Sequence, residues 1–414
     1  MAKSRRIFIS VAEDSADIHA TSLLRQARES LPNCEFHGLT GPRMRAEGAE
    51  TVFDLTAHAA MLTGVLSVVR RARQAVRAVE ASWQENPPDA VVLLDSPELN
   101  LRLAKRARRM GLPVLYYIAP QTWAARAYRN RQIAHDVDRL ACILPFEQGY
   151  FRRAGVRAEF VGHPLFEALA REKPNEVIRR ELGAGDGPLV ALLPGSRRHV
   201  IDAMLPRQLE TVRRVRSDGA RLRVAVSCAS PERGEQVHGH LRAAGVEAAI
   251  IDDNASLLTA ADLVLVASGT ATLHVAHYRK PMVVMYDAGR LLAWPHRLFG
   301  RYLLRTPHLS LVNILAGTRV VPEFMPFVSD TRPIARVVEQ LLADDAWRAL
   351  MVRQLDDLVR PLSTSRASER VCEIIAELIG ASRGSPADAP YQADIGARGR
   401  YHAAGGDMDG GHAA

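Results

Sequence analysis

The sequence has no apolar run near the roughly 20 residues that a membrane-spanning helix needs. Its first apolar stretch, Ile7 to Val11, is too short for the core of a secretory signal peptide, and Glu13 and Asp14 follow it at once. We therefore expect a cytoplasmic protein without a membrane span.

Cysteine is also scarce. The four cysteines lie far apart in the chain at Cys34, Cys142, Cys228 and Cys372, and none forms a Cys-x-x-Cys pair. This spacing indicates neither a zinc site nor a disulfide framework, so we predict buried free thiols.

Charge is not scarce: 54 basic residues against 46 acidic ones give a net charge of +8, and most of the basic residues are arginines. Arginine favours bidentate contacts with phosphate, so a nucleic acid, an anionic membrane or a phosphorylated substrate would fit. The alternative is that these arginines lie on solvated helix faces. The clusters are Arg70, Arg71, Arg73 and Arg77; Arg102, Lys105, Arg106, Arg108 and Arg109; and Arg126, Arg129 and Arg131.

Short β-rich runs alternate with helical patterns in two successive series, which predicts two doubly wound α/β domains with a cleft between them. Such runs are rich in valine, isoleucine and leucine, as expected for buried parallel strands. The predicted strands are Arg6 to Val11, Ala90 to Leu94, Pro113 to Ile118, Leu189 to Leu193, Arg223 to Ser227, Ala249 to Ile251, Leu263 to Val266 and Pro281 to Met285.

We place the first domain at residues 1–178, because the segment from Glu172 to Gly187 is polar and rich in glycine and proline. The second domain is predicted at residues 179–381. It ends in two helices, in which apolar side chains recur at helical spacing. Residues 382–414 are rich in Gly, Ala, Ser, Asp and His and are predicted to be a disordered tail.

Two strand ends in the second domain have the character of phosphate sites. Gly195-Ser196-Arg197 follows one predicted strand, and Ser268-Gly269-Thr270 follows another. Small residues let the backbone approach a phosphate closely, and a following helix start adds free N–H groups and a positive dipole end. Together they predict a diphosphate site at the cleft face of the second domain.

Asp95 directly follows a buried parallel strand, which is the place where ligands bind in such sheets. There it could accept a proton from a hydroxyl group as a general base. It could equally cap the helix that begins near Asn100.

The segment after the first strand holds several carboxylates, including Glu13 and Asp17, beside the hydroxyl of Ser15. Carboxylates bind Mg²⁺, so a metal site is conceivable. Helix capping and contacts to substrate hydroxyls are favoured over it.

In their order along the chain, these segments resemble the lipid-A-disaccharide synthase family over roughly residues 7 to 325. The matching stretches are Ala12 to Asp17, Gly38 to Met44, Asp95 to Asn100, Tyr116 to Trp123, Leu144 to Glu147, Phe160 to Pro164, Leu192 to Arg197, Ala267 to Leu273 and Asn313 to Gly317.

The resemblance implies a GT-B fold. It also implies inverting transfer of diacylglucosamine from UDP to the 6-hydroxyl of diacylglucosamine 1-phosphate, without metal or other cofactor. By position, Asp95 matches the family's general base, while the turns Gly195-Ser196-Arg197 and Ser268-Gly269-Thr270, together with Asn313, match its UDP-binding segments. We place a further nucleotide-sugar contact at His274. We place acceptor contacts at Glu13, Ser15, Asp17, Asn100 and Gln121.

This chain differs from the family's usual pattern at Ala16, Ser67, Val200, His274 and Pro326. His274 stands where the family has a glutamate of the kind that holds ribose hydroxyls. A neutral histidine can accept one hydrogen bond, whereas a carboxylate accepts several. Two alternatives therefore stay open: a divergent paralogue that binds a lipid or nucleotide-sugar with little catalysis, and a GT-B enzyme that uses another UDP-sugar.

The apolar residues 59 to 69, followed by Arg70, Arg71, Arg73 and Arg77, form the pattern of a segment lying in an anionic membrane interface. The alternative is a core helix with arginines facing solvent. We expect a peripheral protein on the inner face of the inner membrane. Its partners would be the UDP-sugar, the acylated sugar phosphate, the leaflet itself and a second copy in a homodimer, with no nucleic acid.

Overall fold

Two parallel β-sheets organise the chain, as seen in a computed structural model. The structure describes residues 4–55, 65–217, 219, 221–228, 230–287, 308–325, 330–363 and 366–380. Within these ranges, every paired strand runs parallel to its neighbour.

The first sheet has seven strands in the order β3-β2-β1-β4-β5-β6-β7. Its strands are β1 (Arg5–Ser10), β2 (Cys34–Leu39), β3 (Glu50–Phe53), β4 (Ala90–Leu94), β5 (Val114–Tyr117), β6 (Arg139–Cys142) and β7 (Ala158–Phe160). The helices between and after them are α1 (Asp14–Ser30), α2 (Pro42–Ala46), α3 (Val65–Glu85), α4 (Pro97–Arg109), α5 (Asn130–Asp136), α6 (Pro145–Arg153) and α7 (Pro164–Leu169).

The second sheet has six strands in the order β10-β9-β8-β11-β12-β13. Its strands are β8 (Leu189–Leu193), β9 (Arg223–Ser227), β10 (Ala249–Ile251), β11 (Leu263–Ala267), β12 (Met282–Met285) and β13 (Glu323–Phe324). The remaining helices are α8 (Glu176–Gly183), α9 (Arg198–Ser217), α10 (Pro231–Ala244), α11 (Asn254–Ala260), α12 (Ala271–His277), α13 (Leu311–Ala316), α14 (Arg332–Ala343), α15 (Asp345–Ser363) and α16 (Ala367–Gly380).

The central strands β4, β8 and β11 are apolar along their whole length, and every residue in them is buried. Such continuous apolar strands form where helices cover both faces of a parallel sheet. The predicted class, two doubly wound α/β units, is therefore confirmed.

Strand order fixes where ligands can bind. In the first sheet the order reverses between β1 and β4, and in the second it reverses between β8 and β11. Crevices open at the carboxyl ends of strands on either side of such a reversal. The segments at Glu13, Asp95, Gly195 and Ser268 follow these four strands, so the sequence-predicted site segments lie at the two switch points.

The last helix returns to the first sheet. The buried residues Val371, Ile374 and Ile375 of α16 pack in one core with Ile7 and Ile9 of β1. A helical apolar pattern shows which face is buried but not which sheet covers it, so this return could not be foreseen. The domain limits given above remain a prediction.

The four cysteines are free thiols. Cys142, Cys228 and Cys372 are buried, and Cys34 is half-buried. The prediction of free rather than disulfide-bonded cysteines is confirmed.

Candidate active site

Asp95 lies in a strained turn at the end of β4. Asp95 and Ser96 both have left-handed backbones, with φ of +48° and +43°. This conformation is uncommon for residues other than glycine and persists only where the surroundings impose it. The turn therefore holds the Asp95 backbone at the first switch point instead of letting it continue the strand.

The Asp95 carboxyl group is suited to accept a proton. Burial raises its pKa above the ordinary value of 3.8, and the negative charge of Glu13 raises it further, while a hydrogen bond from the Ser96 backbone N–H opposes them. A general base works best when its pKa approaches the working pH. Because the N-cap position of α4 is occupied by Ser96 and not by Asp95, we favour the base over the cap.

Asn100 stabilises this turn through its side-chain amide. It is fully buried, and its side-chain N–H groups donate to the carbonyls of Leu94 (2.7 Å) and Asp95 (2.9 Å). Its amide oxygen accepts the hydroxyl of Ser10 at 2.7 Å, and the Tyr116 hydroxyl also donates to the Asp95 carbonyl. We predicted that Asn100 contacts the acceptor. That contact stays a prediction; in the structure both amide hydrogens donate within the turn after β4, and the amide oxygen joins this turn to Ser10 of β1.

The turn after β8 requires its glycine. Gly195 has φ of +101°, and a Cβ there would lie 2.9 Å from Cγ1 of Val200. The same Cβ would lie 3.9 Å from Cβ of Ala267 at the end of β11. The two phosphate-site turns are therefore neighbours, as the prediction required.

Arg197 ends this turn and precedes the 20-residue helix α9. Its backbone carbonyl accepts the first helical hydrogen bonds, from Val200 (2.9 Å) and Ile201 (3.0 Å). Ser196 and the Arg197 side chain are exposed. A guanidinium beside a helix N-terminus is a favourable environment for an anion.

The two switch points face each other. The Arg197 guanidinium lies 3.4 Å from the carboxylate of Glu13, which follows β1 on the first sheet. Glu13 also acts electrostatically on Asp95. The predicted base and the predicted phosphate ligand therefore share one carboxylate neighbour across the cleft.

A cavity of about 290 Å³ also spans the two domains. It is lined by Gln121 and Trp123 of the first domain and by Ser268, Gly269 and Thr270 of the second. Gln121, for which we predicted acceptor contact, is exposed there. The second phosphate-site turn is thus accessible from the cleft.

His274 lies one turn into α12. Its Nε2 atom is 3.4 Å from Oε2 of Glu172, a residue of the segment that links the two domains. The Tyr278 hydroxyl donates to the same carboxylate oxygen at 3.3 Å. Since the family's usual carboxylate is replaced by His274, Glu172 is the acidic group that the fold brings to this position.

Asn313, for which we predict nucleotide contact, makes several hydrogen bonds within the protein. It is fully buried, and its amide oxygen accepts the backbone N–H groups of Val320 (2.8 Å) and Val321 (3.0 Å). Its amide nitrogen donates to the Val321 carbonyl (2.9 Å) and the Glu323 carboxylate (3.0 Å). A side chain with this many partners shapes the loop after α13 and has no amide hydrogen left for a nucleotide.

Asp17 likewise caps a helix. Its buried carboxylate accepts the backbone N–H groups of Arg43 (3.0 Å) and Met44 (3.1 Å) in the first turn of α2. The capping role considered for this segment is therefore observed, and the acceptor contact of Asp17 stays a prediction. The side chain of Ser15 lies outside the described part of the chain.

Gln208 is a site-supporting residue that the sequence did not reveal. This fully buried residue of α9 donates from its amide to the carbonyls of Leu193 (3.4 Å) and Leu265 (3.1 Å) on β8 and β11. It ties together the two strands that carry the phosphate-site turns. A glutamine on a helical pattern gives no sequence signal for this role.

Several arginines of the predicted clusters form ion pairs. Arg126 and Arg129 both pair with Glu98, at the start of α4, and Arg108 pairs with Asp138 at 3.2 Å. Such exposed pairs contribute little stability. In the structure, carboxylates of this chain engage the guanidinium groups of these arginines.

Comparison with known proteins agrees with this geometry. The sequence model of the lipid-A-disaccharide synthetase family matches residues 7–374. The lipid-A-disaccharide synthase of Myxococcus xanthus is 35% identical over 386 residues, which cover 92% of this chain and 100% of the relative. The chain belongs to the lipid-A-disaccharide synthetase family.

Solved structures agree with the fold. MurG from Acinetobacter baumannii superposes with a TM-score of 0.54 at 13% identity, over 90% of this chain and 99% of its own. UDP-GlcNAc 2-epimerase from Neisseria meningitidis, bound to UDP-GlcNAc, gives a TM-score of 0.58 at 10% identity over 91% and 100%. The predicted GT-B architecture is confirmed, and the family match does not favour either alternative function.

Proposed function

We propose that this chain joins two acylated glucosamines into the lipid A disaccharide, using a UDP-linked donor and releasing UDP. The observation that carries this proposal is the pairing of two switch points across one cleft. A carboxyl group with a raised pKa, Asp95, lies on one side. A glycine turn that ends in an exposed arginine, Arg197, lies on the other.

The proposed reaction uses groups from both sides of the cleft. Asp95 takes the proton of the acceptor's 6-hydroxyl, and the hydroxyl oxygen attacks the anomeric carbon of the donor. The bond from that carbon to the β-phosphate oxygen breaks, and its electron pair leaves with UDP. Arg197 and the N–H groups at the start of α9 stabilise the negative charge on the departing diphosphate.

The donor is proposed to occupy the second domain. The Neisseria epimerase, which has the same fold, carries UDP-GlcNAc. In this chain the turns at Gly195 and Ser268 provide the diphosphate site, and His274 with Glu172 provides the polar groups for the ribose hydroxyls. The Glu172 carboxylate provides the additional hydrogen-bond acceptors that a histidine alone lacks.

A UDP-release assay tests this function. Purified protein is supplied with UDP-diacylglucosamine or, in parallel, with UDP-N-acetylglucosamine, each with or without diacylglucosamine 1-phosphate. We expect UDP release that requires the acceptor. Equal release without acceptor would indicate hydrolysis, and release only from UDP-N-acetylglucosamine would indicate another UDP-sugar enzyme.

Acylated substrates require access from a bilayer, and we propose that the first domain docks on the anionic inner leaflet. Among the described residues, no helix is long and apolar enough to cross a membrane. Arg70, Arg73 and Arg77 are exposed along α3, and α4 beside it exposes Arg102 and Lys105. The apolar stretch before them, residues 59 to 68, lies outside the described side chains.

Replacing Arg73 and Arg77 with glutamine is expected to weaken binding to anionic vesicles by about tenfold or more, since each surface arginine contributes about 1 kcal/mol there. The effect should shrink as salt increases. Sedimentation with phosphatidylglycerol vesicles measures it. Arg213 and Arg242, exposed arginines of the second domain, are the matched control pair; equal loss in both double variants would contradict docking through α3.

A further inference from the structure

Trp123 is the largest side chain in the wall of the interdomain cavity. It is 7% exposed and lines the cavity together with the turn Ser268-Gly269-Thr270. The rest of the lining includes the apolar side chains of Leu309, Leu311 and Ile314, together with Ala124 and His308. The cavity thus joins an apolar surface to the turn that is proposed to hold the donor's diphosphate.

A buried carboxylate holds this tryptophan in place. The Trp123 indole N–H donates to Oε1 of Glu147 at 3.0 Å, and the ring packs edge-on against Phe146 at 5.1 Å between centroids. Oε2 of Glu147 accepts the backbone N–H groups of Leu144 (3.1 Å) and Ile143 (3.3 Å) at the start of α6. Glu147 therefore joins the loop after β5 to the turn after β6.

Stability alone does not account for this carboxylate. Glu147 is 1% exposed. Burial raises its pKa to about 7 despite the N–H groups of Trp123, Leu144 and Ile143 that lower it. Burying a carboxylate is unfavourable even when it is hydrogen-bonded, and apolar packing often serves stability as well. Besides capping α6, Glu147 fixes the direction of the indole ring through its bond to the Trp123 N–H.

We infer that Trp123 contacts the acyl-bearing sugar of the donor and that Glu147 is the positioning residue that fixes its ring. This inference rests on the proposed function, and it assigns Trp123 as a residue that recognises the acylated donor. The indole and the side chains of Leu309, Leu311 and Ile314 offer an apolar surface next to the diphosphate turn. Free UDP lacks the acylated sugar, so it does not touch this surface.

The test compares Trp123→Phe, Glu147→Gln and the double variant with the parent protein in detergent micelles. We expect KM for UDP-diacylglucosamine to rise about tenfold or more in each single variant, with a smaller change in kcat. The double variant should be no worse than the poorer single one, because both changes break one contact. The affinity for UDP alone should stay unchanged in all three.

Matched controls are Trp347→Phe and Glu159→Gln, which change the same residue types away from the cavity. Donor binding should also alter the tryptophan fluorescence of the parent and of Trp347→Phe but not of Trp123→Phe. If the parent is active and the Trp123 and Glu147 variants keep its donor KM and its fluorescence response, the inference is wrong and the proposed function is unaffected. A parent that makes no disaccharide would instead overturn the proposed function, and with it the inference.

Discussion

Replacing Asp95 with asparagine is expected to lower kcat by about 10²–10⁴-fold, the usual contribution of general acid–base catalysis. The amide keeps the shape of the side chain but cannot take the proton of the acceptor hydroxyl. Steady-state kinetics with saturating donor and acceptor measures the change. Turnover within a few-fold of the parent, in a variant that folds normally, would show that Asp95 is not the base.

Asp89→Asn is the matched control, because Asp89 precedes the same strand, β4, at its opposite end. Its carboxylate accepts the Arg6 backbone N–H at 2.9 Å and pairs with Arg5 at 3.0 Å. This variant should lose some stability but keep the parent's kcat. An equal fall in kcat would point to damage to the sheet instead of loss of a base.

The pH profile gives an independent check. A general base must be deprotonated, so kcat/KM should fall as pH drops through the pKa of Asp95. Burial and Glu13 raise that pKa above 3.8, so the acidic limb should lie at higher pH than for an ordinary aspartate. Glu13→Gln removes one of the two causes and should move the limb to lower pH.

Replacing Arg197 with alanine is expected to weaken UDP binding by about 1.5–3 kcal/mol, the range for hydrogen bonds to charged groups. This corresponds to about a ten- to hundredfold rise in Kd. The guanidinium sits at the start of α9, where it adds its charge to the helix N-terminus. Isothermal titration calorimetry with UDP measures the loss.

Two variants control the Arg197 experiment. Arg213→Ala removes an exposed arginine near the other end of α9 and should leave UDP affinity unchanged. Glu13→Gln frees Arg197 from its carboxylate partner at 3.4 Å, so UDP should bind as tightly as in the parent or more tightly. Unchanged UDP affinity in Arg197→Ala would remove Arg197 from the diphosphate site.

The sequence predicted the central strands well because their signal is local. Ala90–Leu94, Leu189–Leu193 and Arg223–Ser227 are continuous or nearly continuous apolar runs, and the structure has the same bounds. Cys34–Leu39 was missed because Glu35 and His37 interrupt its apolar pattern. Its strand character depends on pairing with β1, which is a tertiary contact.

The site residues likewise divide into those with a local sequence signal and those whose role depends on tertiary contacts. Strand ends located Asp95, Gly195 and Ser268, since the carboxyl ends of parallel strands are where ligands bind. The roles of Asn100 and Asn313 could not be predicted, because each satisfies backbone groups that only the folded chain brings near it. A polar side chain in a motif can therefore stabilise a loop through hydrogen bonds without binding the ligand.

The most direct test of the account is the product itself. The protein is incubated with UDP-diacylglucosamine and diacylglucosamine 1-phosphate, and the lipids are analysed by mass spectrometry. The account predicts a tetraacylated disaccharide 1-phosphate, formed by the parent and almost absent with Asp95→Asn. Intact substrates after incubation with folded, donor-binding parent protein would contradict it.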